Sequence, residues 1–213
     1  MNVIDALALS PSAAAPSHDV SEPHRLRGRY ITTLIALLVL AVALPARAFT
    51  VERSEARYAD ERFQYELVVR LDAPIDKVDE VLRDYSKYPS LDDRILTSKV
   101  LARPAEDVVM LETTVRFCLG PFCRNVKRVE RVEESKYVLL AVADPTRSDV
   151  EFGETRSELT PALHGTTRVK YVTSVVPGFW VPAVGGRRMM LKTLERATSD
   201  LFMNVEKKAN PAP

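Results

Sequence analysis

Residues 68–89, VVRLDAPIDKVDEVLRDYSKYP, carry a strand into a helix and stop that helix within one turn of its end. Working backwards, Phe63, Tyr65, Leu67, Val69 and Leu71 alternate with Gln64, Glu66 and Arg70, the period-two pattern of a half-buried strand. Asp72-Ala73-Pro74 reads as a helix start, with a capping carboxylate and a proline in the first turn. Ile75, Val78, Val81, Leu82 and Tyr85 then recur at helical spacing, which predicts one amphipathic helix over 74–85. Lys87-Tyr88-Pro89-Ser90 ends it, because a proline pushes the residue before it out of helical geometry.

From Ile95 the spacing predicts six strands, 95–102, 107–118, 122–133, 136–143, 149–160 and 166–176. Pro104-Ala105, Gly120-Pro121, Glu134-Ser135, Asp144-Pro145 and His164-Gly165 supply the turns between them. Connections this short imply an antiparallel meander. Pro177-Gly178 closes the sheet, and a long helix follows over about 182–208, with Met190, Leu191, Leu194, Ala197, Leu201 and Val205 as its apolar stripe. The expected fold class is α+β. A curved antiparallel sheet of about seven strands wraps around the long C-terminal helix, with one or two short helices after the first strand.

That order over about 60–208 resembles the START-like, or SRPBCC, superfamily of helix-grip domains, which includes polyketide cyclases and lipid-transfer domains. The carriers are Val68 to Val78, similar to the family's apolar-x-Ala-Pro-x-x-x-Val junction, and Val81 to Pro89, similar to its Asp-Tyr-x-x-Tyr-Pro helix end. Pro177-Gly178-Phe179-Trp180-Val181-Pro182 leading into the last helix adds to it. The resemblance implies a ligand cavity between the concave sheet and the terminal helix. It implies no shared catalytic residue set, since these motifs are a cap, a helix face and a turn.

Ahead of the domain, Arg25, Arg27 and Arg29 precede an apolar run from Leu34 to Leu44, then Pro45 and Ala46-Arg47-Ala48. This is the order of a secretory signal, and cleavage is expected after Ala48. Residues 1–48 would then be leader and signal peptide, and 49–213 a START-like ligand-binding domain. The run falls short of the roughly 17–25 apolar residues of a spanning helix. An inner-membrane anchor over 30–46 is the alternative to export, which in a bacterium means the periplasm. The chain holds 30 basic and 29 acidic residues; the first 48 carry four and three of these, leaving 26 of each. Such neutrality gives no phosphate-backbone attraction, so nucleic acid is not an expected partner.

The two cysteines, Cys118 and Cys123, flank Leu119-Gly120-Pro121-Phe122. A four-residue loop places them across a hairpin, where opposed α-carbons lie about 4.5–5.5 Å apart, within disulfide range. A structural disulfide is expected in an exported chain. The spacing does not match a Cys-x-x-Cys redox pair, and the one histidine of the domain, His164, is too little for a metal site.

Which residues face the cavity follows from the alternation. If Val109, Leu111, Val115 and Phe117 point inward, so does Thr113; across the hairpin Phe122, Arg124, Val126, Arg128 and Glu130 point inward as well. Val169, Tyr171, Thr173 and Val175 extend the same face, and Met189 or Met190 with Trp180 would line its mouth. The candidate ligand-binding residues are thus Thr113, Val115, Phe117, Arg128, Glu130, Tyr171, Thr173, Trp180, Met190 and Leu194. The same apolar set also suits ordinary core packing, and a bulge would turn Arg128 and Glu130 into solvent. Arg187-Arg188 and Lys207-Lys208 read as solvated helix charges, and His164 as a turn residue.

No Gly-rich phosphate loop, His-Glu-x-x-His or Gly-x-Ser-x-Gly occurs, so the residues point away from catalysis, and no cofactor or metal is expected. The expectation is an exported binding protein that holds a hydrophobic small molecule or lipid, with transient membrane contact. A cyclase or aromatase-like enzyme using Arg128, Glu130 or Tyr171 is the alternative, and an envelope interaction module with a filled interior a third.

Overall fold

In a computed structural model, which describes residues 49–211, the domain is one eight-stranded antiparallel sheet curved around a 24-residue C-terminal helix. The strands are β1 (Thr50–Ala59), β2 (Arg62–Leu71), β3 (Ile95–Ala105), β4 (Val108–Leu119), β5 (Phe122–Ser135), β6 (Val138–Ala143), β7 (Val150–Pro161) and β8 (Thr167–Pro177). Helices α1 (Ile75–Arg83) and α2 (Tyr88–Leu91) follow β2, and α3 is the terminal helix (Gly186–Ala209). The order across the sheet is β1-β2-β8-β7-β6-β5-β4-β3, so α1 and α2 carry the chain from β2 to the far edge. The signal-peptide and anchor assignments lie outside the described residues.

β1 is the strand beyond the seven expected. Its sequence, TVERSEARYA, shows no clean alternation, and most of it is exposed as an edge. Charge on an edge strand discourages pairing with other chains. The β1–β2 turn is also silent in sequence. Asp60 and Glu61 both adopt left-handed φ, of 51° and 59°, where hairpin turns usually carry Asn-Gly. Glu52 ties this edge inward through Arg70 on β2 and Arg168 on β8, at 2.6 and 2.7 Å.

The start of α1 corrects the expected cap. Pro74 is the N-cap, with no side-chain capping bond, and its carbonyl accepts from the amides of Lys77 and Val78. The backbone of Asp72 instead joins the terminal helix. Its amide donates to Glu206 at 2.9 Å, and its carbonyl accepts from Asn210 Nδ2 at 2.6 Å. α3 begins at Gly186 rather than 182, after Gly185 in left-handed backbone. Gly186 packs so closely that a Cβ there would lie 2.8 Å from Val181 Cγ1.

The main core runs along β2 and α3: Tyr65, Leu67, Val69 and Leu71 pack with Phe202 and Val205. A second cluster joins Phe63, Leu119, Val126 and Met190 at the other end of α3. Leu194 of α3 packs against both clusters.

Candidate ligand-binding cavity

Between the concave face and α3 lies a cavity of about 290 Å³. β4 contributes Leu111, Thr113, Val115 and Phe117, and β5 contributes Val126, Arg128, Glu130 and Val132, alternate residues of each strand. The β4–β5 ladder keeps a single register from Val108↔Glu133 to Leu119↔Phe122, so no bulge reverses the facing. Arg128 and Glu130 therefore face the interior, paired with Thr113 and Leu111. On α3 the lining residues Met190, Leu194, Ala197, Thr198, Leu201 and Phe202 recur at helical spacing. Tyr171, Thr173 and Val175 of β8 complete the back wall, and Leu82, Tyr85, Tyr88 and Leu91 close the front.

Nine of the ten candidate residues thus line one space: Thr113, Val115, Phe117, Arg128, Glu130, Tyr171, Thr173, Met190 and Leu194. Trp180 does not. Neighbours in an extended segment face opposite ways, and here Phe179 turns inward, 5.9 Å from the Phe117 ring, while Trp180 turns to solvent. Phe122 and Arg124 share the face of their ladder partners Leu119 and Phe117, but both are exposed at the sheet's rim and neither lines the cavity; Arg124 stacks over the Phe179 ring at 4.7 Å. Cys118 and Cys123 form the expected disulfide across that turn.

The charged groups of this largely apolar wall are Asp92, paired with Arg94 at 2.6 Å, and the pair Arg128–Glu130. Arg128 Nη2 donates to Glu130 Oε1 at 2.5 Å, with the Glu130 side chain only 8% exposed. Gly153 of β7 packs tightly on β6 beside this pair: a Cβ there would lie 3.0 Å from the Ala143 methyl and in ordinary contact, 3.6 Å, with Arg128 Nη2. Arg128 Nε is buried and has no hydrogen-bond partner among the described residues, a donor left over in the wall. Buried polar atoms are rarely left so, and an unsatisfied donor beside a cavity suits an acceptor brought by water or ligand.

Hydroxyls complete the polar set. Thr155 and Thr173 hydrogen-bond at 2.9 Å across β7 and β8. Burial pushes the Tyr171 hydroxyl above its usual pKa, opposed by the Arg128 charge, so it stays a neutral donor at physiological pH. Tyr85 and Tyr88 are likewise held neutral, chiefly by burial; Tyr85 donates to Glu134 and Tyr88 to the Leu82 carbonyl, both at 2.6 Å. No group of three or more metal-ligating side chains occurs among the described residues.

Sequence reasoning passed over the β7 wall and the two front tyrosines as cavity residues. The β7 signal was present: Glu154, Arg156 and Glu158 alternate outward and leave Gly153, Thr155 and Ser157 for the inner face. Tyr85 and Tyr88 had no such signal, since a buried aromatic at a helix end reads as core.

No family model and no curated protein sequence matches the chain. Solved structures do. An aromatase/cyclase from a Streptomyces species is 16% identical, with a TM-score of 0.56 over 69% of this chain and 93% of its own. A START superfamily protein from Mycobacterium smegmatis is 16% identical, with a TM-score of 0.55 over 68% of this chain and 97% of its own. A STAR-related lipid transfer protein from Xanthomonas axonopodis is 14% identical, with a TM-score of 0.54 over 74% of this chain and 99% of its own. The fold is therefore the START-like helix grip. At these identities the ligand is a matter for the chemistry of the cavity.

Proposed function

We propose that this START-like domain binds a hydrophobic small molecule or lipid with one hydrogen-bonding end, the apolar part between sheet and α3 and the polar end at Arg128, Glu130 and Tyr171. The observation that carries the reading is the buried Arg128–Glu130 pair, with its leftover Arg128 Nε donor, set in a largely apolar cavity wall. A ligand burying about 300 Å² of apolar surface gains roughly 7 kcal/mol before the cost of association. A cavity of about 290 Å³ suits a compact ring system or one short acyl chain better than a two-chain lipid. Export belongs to the same proposal: the signal-like order of residues 25–48 and the Cys118–Cys123 bond both suit an oxidising compartment.

A cyclase-like activity is the second reading, favoured by the neutral Tyr171 hydroxyl beside Arg128 and Glu130, a donor and a charge pair facing one space. An unfilled interior weighs against a purely packed interaction module.

The test is native mass spectrometry and organic extraction of the protein purified from its own host, alongside Ala141→Phe, which fills the cavity from β6. A reproducible apolar compound on the wild type and absent from the variant supports binding. Equal amounts on both refute the cavity as the site. Release of a chemically altered compound after incubation shifts the reading to the enzyme.

A further inference from the structure

Three large apolar side chains at one end of the sheet point away from the protein. Phe122, Trp180 and Val184 are 64%, 71% and 92% exposed, although the interior of the same segments is well packed. Phe179 and Val181 alternate with Trp180 and face the core, as does Leu119 beside the Phe122 turn. The outward set is therefore displayed by a rigid support rather than left over from loose chain. The Phe122 and Trp180 rings meet edge to face at 6.5 Å, which joins the β4–β5 turn to the β8–α3 segment in one patch. The disulfide closes the first of these segments, and Gly120 lies against Met189 of α3.

Charge around the patch has one sign within both segments. No Asp or Glu occurs from Thr113 to Lys127 or from Leu159 to Leu194, in a domain whose charges balance only as a whole. Arg124, Arg187 and Arg188 are exposed beside the apolar residues, with Arg124 over the Phe179 ring and Arg187 over the Tyr58 ring at 4.3 Å. The acidic groups at this end, Asp60 and Glu61 in the β1–β2 turn, Asp149 before β7 and Glu151 within it, belong to other segments. Asp149 is engaged by the Lys127 amide at 2.8 Å.

Exposed tryptophan and phenylalanine ringed by arginine match the boundary of an anionic bilayer, where aromatic rings sit at headgroup depth and cations meet phosphate. We infer that this rim docks the domain on an anionic lipid surface, with Phe122, Trp180 and Val184 entering the interface and Arg124, Arg187 and Arg188 meeting the headgroups. The end of the cavity lies directly behind it, since Phe117 and Phe179 line the cavity one to five residues from Phe122 and Trp180. The docking surface stands independently of what the cavity holds.

Trp180 is the only tryptophan of the chain, so its emission reports this rim whatever any other segment does. The full chain is titrated with phosphatidylglycerol vesicles and with phosphatidylcholine vesicles, each with and without bromine-labelled acyl chains. The expected result is a blue shift and bromine quenching of Trp180 on phosphatidylglycerol, much weaker on phosphatidylcholine. Arg187→Gln with Arg188→Gln should weaken that response roughly thirty-fold, at about five-fold for each basic residue. Phe122→Ser with Val184→Ser should remove the quenching while circular dichroism stays that of the wild type. Vesicle sedimentation with Trp180 emission unchanged would mean that another part of the chain binds, and would overturn the proposal. So would absence of association, or a shift equal on both lipids and indifferent to the arginines.

Discussion

Replacing Arg128 by leucine separates a buried ion pair from a solvated one. Glu130 keeps a side chain only 8% exposed, and the structure gives it Arg128 Nη2 as its ionic partner. Removing one member of such a pair costs about 3–5 kcal/mol, because the remaining charge stays desolvated. Arg128 itself is 26% exposed, so solvent reaches the pair and the lower end applies, about 3 kcal/mol. For a domain of this length that lowers Tm by roughly 6–12 °C. Arg128→Leu with Glu130→Leu removes both charges and should recover most of the loss, since an apolar replacement of a buried pair is often neutral or stabilising. Urea unfolding followed by circular dichroism measures the whole cycle, with the denaturant slope checking that the states compared are the same. A cost below about 1 kcal/mol for Arg128→Leu, or single effects that simply add, would falsify the placement of the pair in the cavity wall. The same variants bear on ligand. Loss of binding in the stable double variant marks the pair as the polar anchor, whereas retention leaves the apolar wall as the whole of the site.

Two further outcomes follow from the geometry. Reducing the Cys118–Cys123 bond, or replacing both cysteines by serine, should cost about 2 kcal/mol and lower Tm by roughly 4–8 °C, given the short loop it closes; a melting curve indifferent to reductant would show that the turn holds itself. Tyr85, Tyr88 and Tyr171 all have folded-state pKa values raised above the ordinary tyrosine value, so their contribution is complete below about pH 10 and is lost as pH rises through the folded values. Tyrosinate absorbance should therefore show these three ionising only together with alkaline unfolding, and a full titration preceding any change in circular dichroism would refute their burial.

Strands β3 to β8 and helix α1 were legible because each carries its own period. Apolar residues recur every second position in the strands and every third or fourth in the helix, and a local pattern needs no knowledge of the rest of the chain. The hairpin and its disulfide were legible for the same reason, since four residues containing Gly-Pro determine which cysteine faces which. β1 was not, because an edge strand closed by Asp60-Glu61 has neither an alternating face nor a turn glycine. Its pairing partner creates it.

The residues of the site stand between these cases. Alternation alone placed Thr113, Val115 and Phe117 with Arg128 and Glu130 on one face, but whether that face is reversed by a bulge is a property of the ladder, and the unbroken β4–β5 register decides it. Phe179 and Trp180 are adjacent aromatics in an irregular segment, and nothing local says which turns inward; Phe117 and the arginine over the Phe179 ring settle it. The cavity itself is the least local feature. Its walls come from β4 to β8, from α3 and from the α1–α2 segment, and the space between them exists only once all of these are assembled. By itself the sequence determined the elements, their order and the hairpin bond, since short-range sterics and periodicity set these. Tertiary packing alone decided the edge strand, the facing of the aromatics and the open interior, because each depends on contacts between residues far apart in the chain.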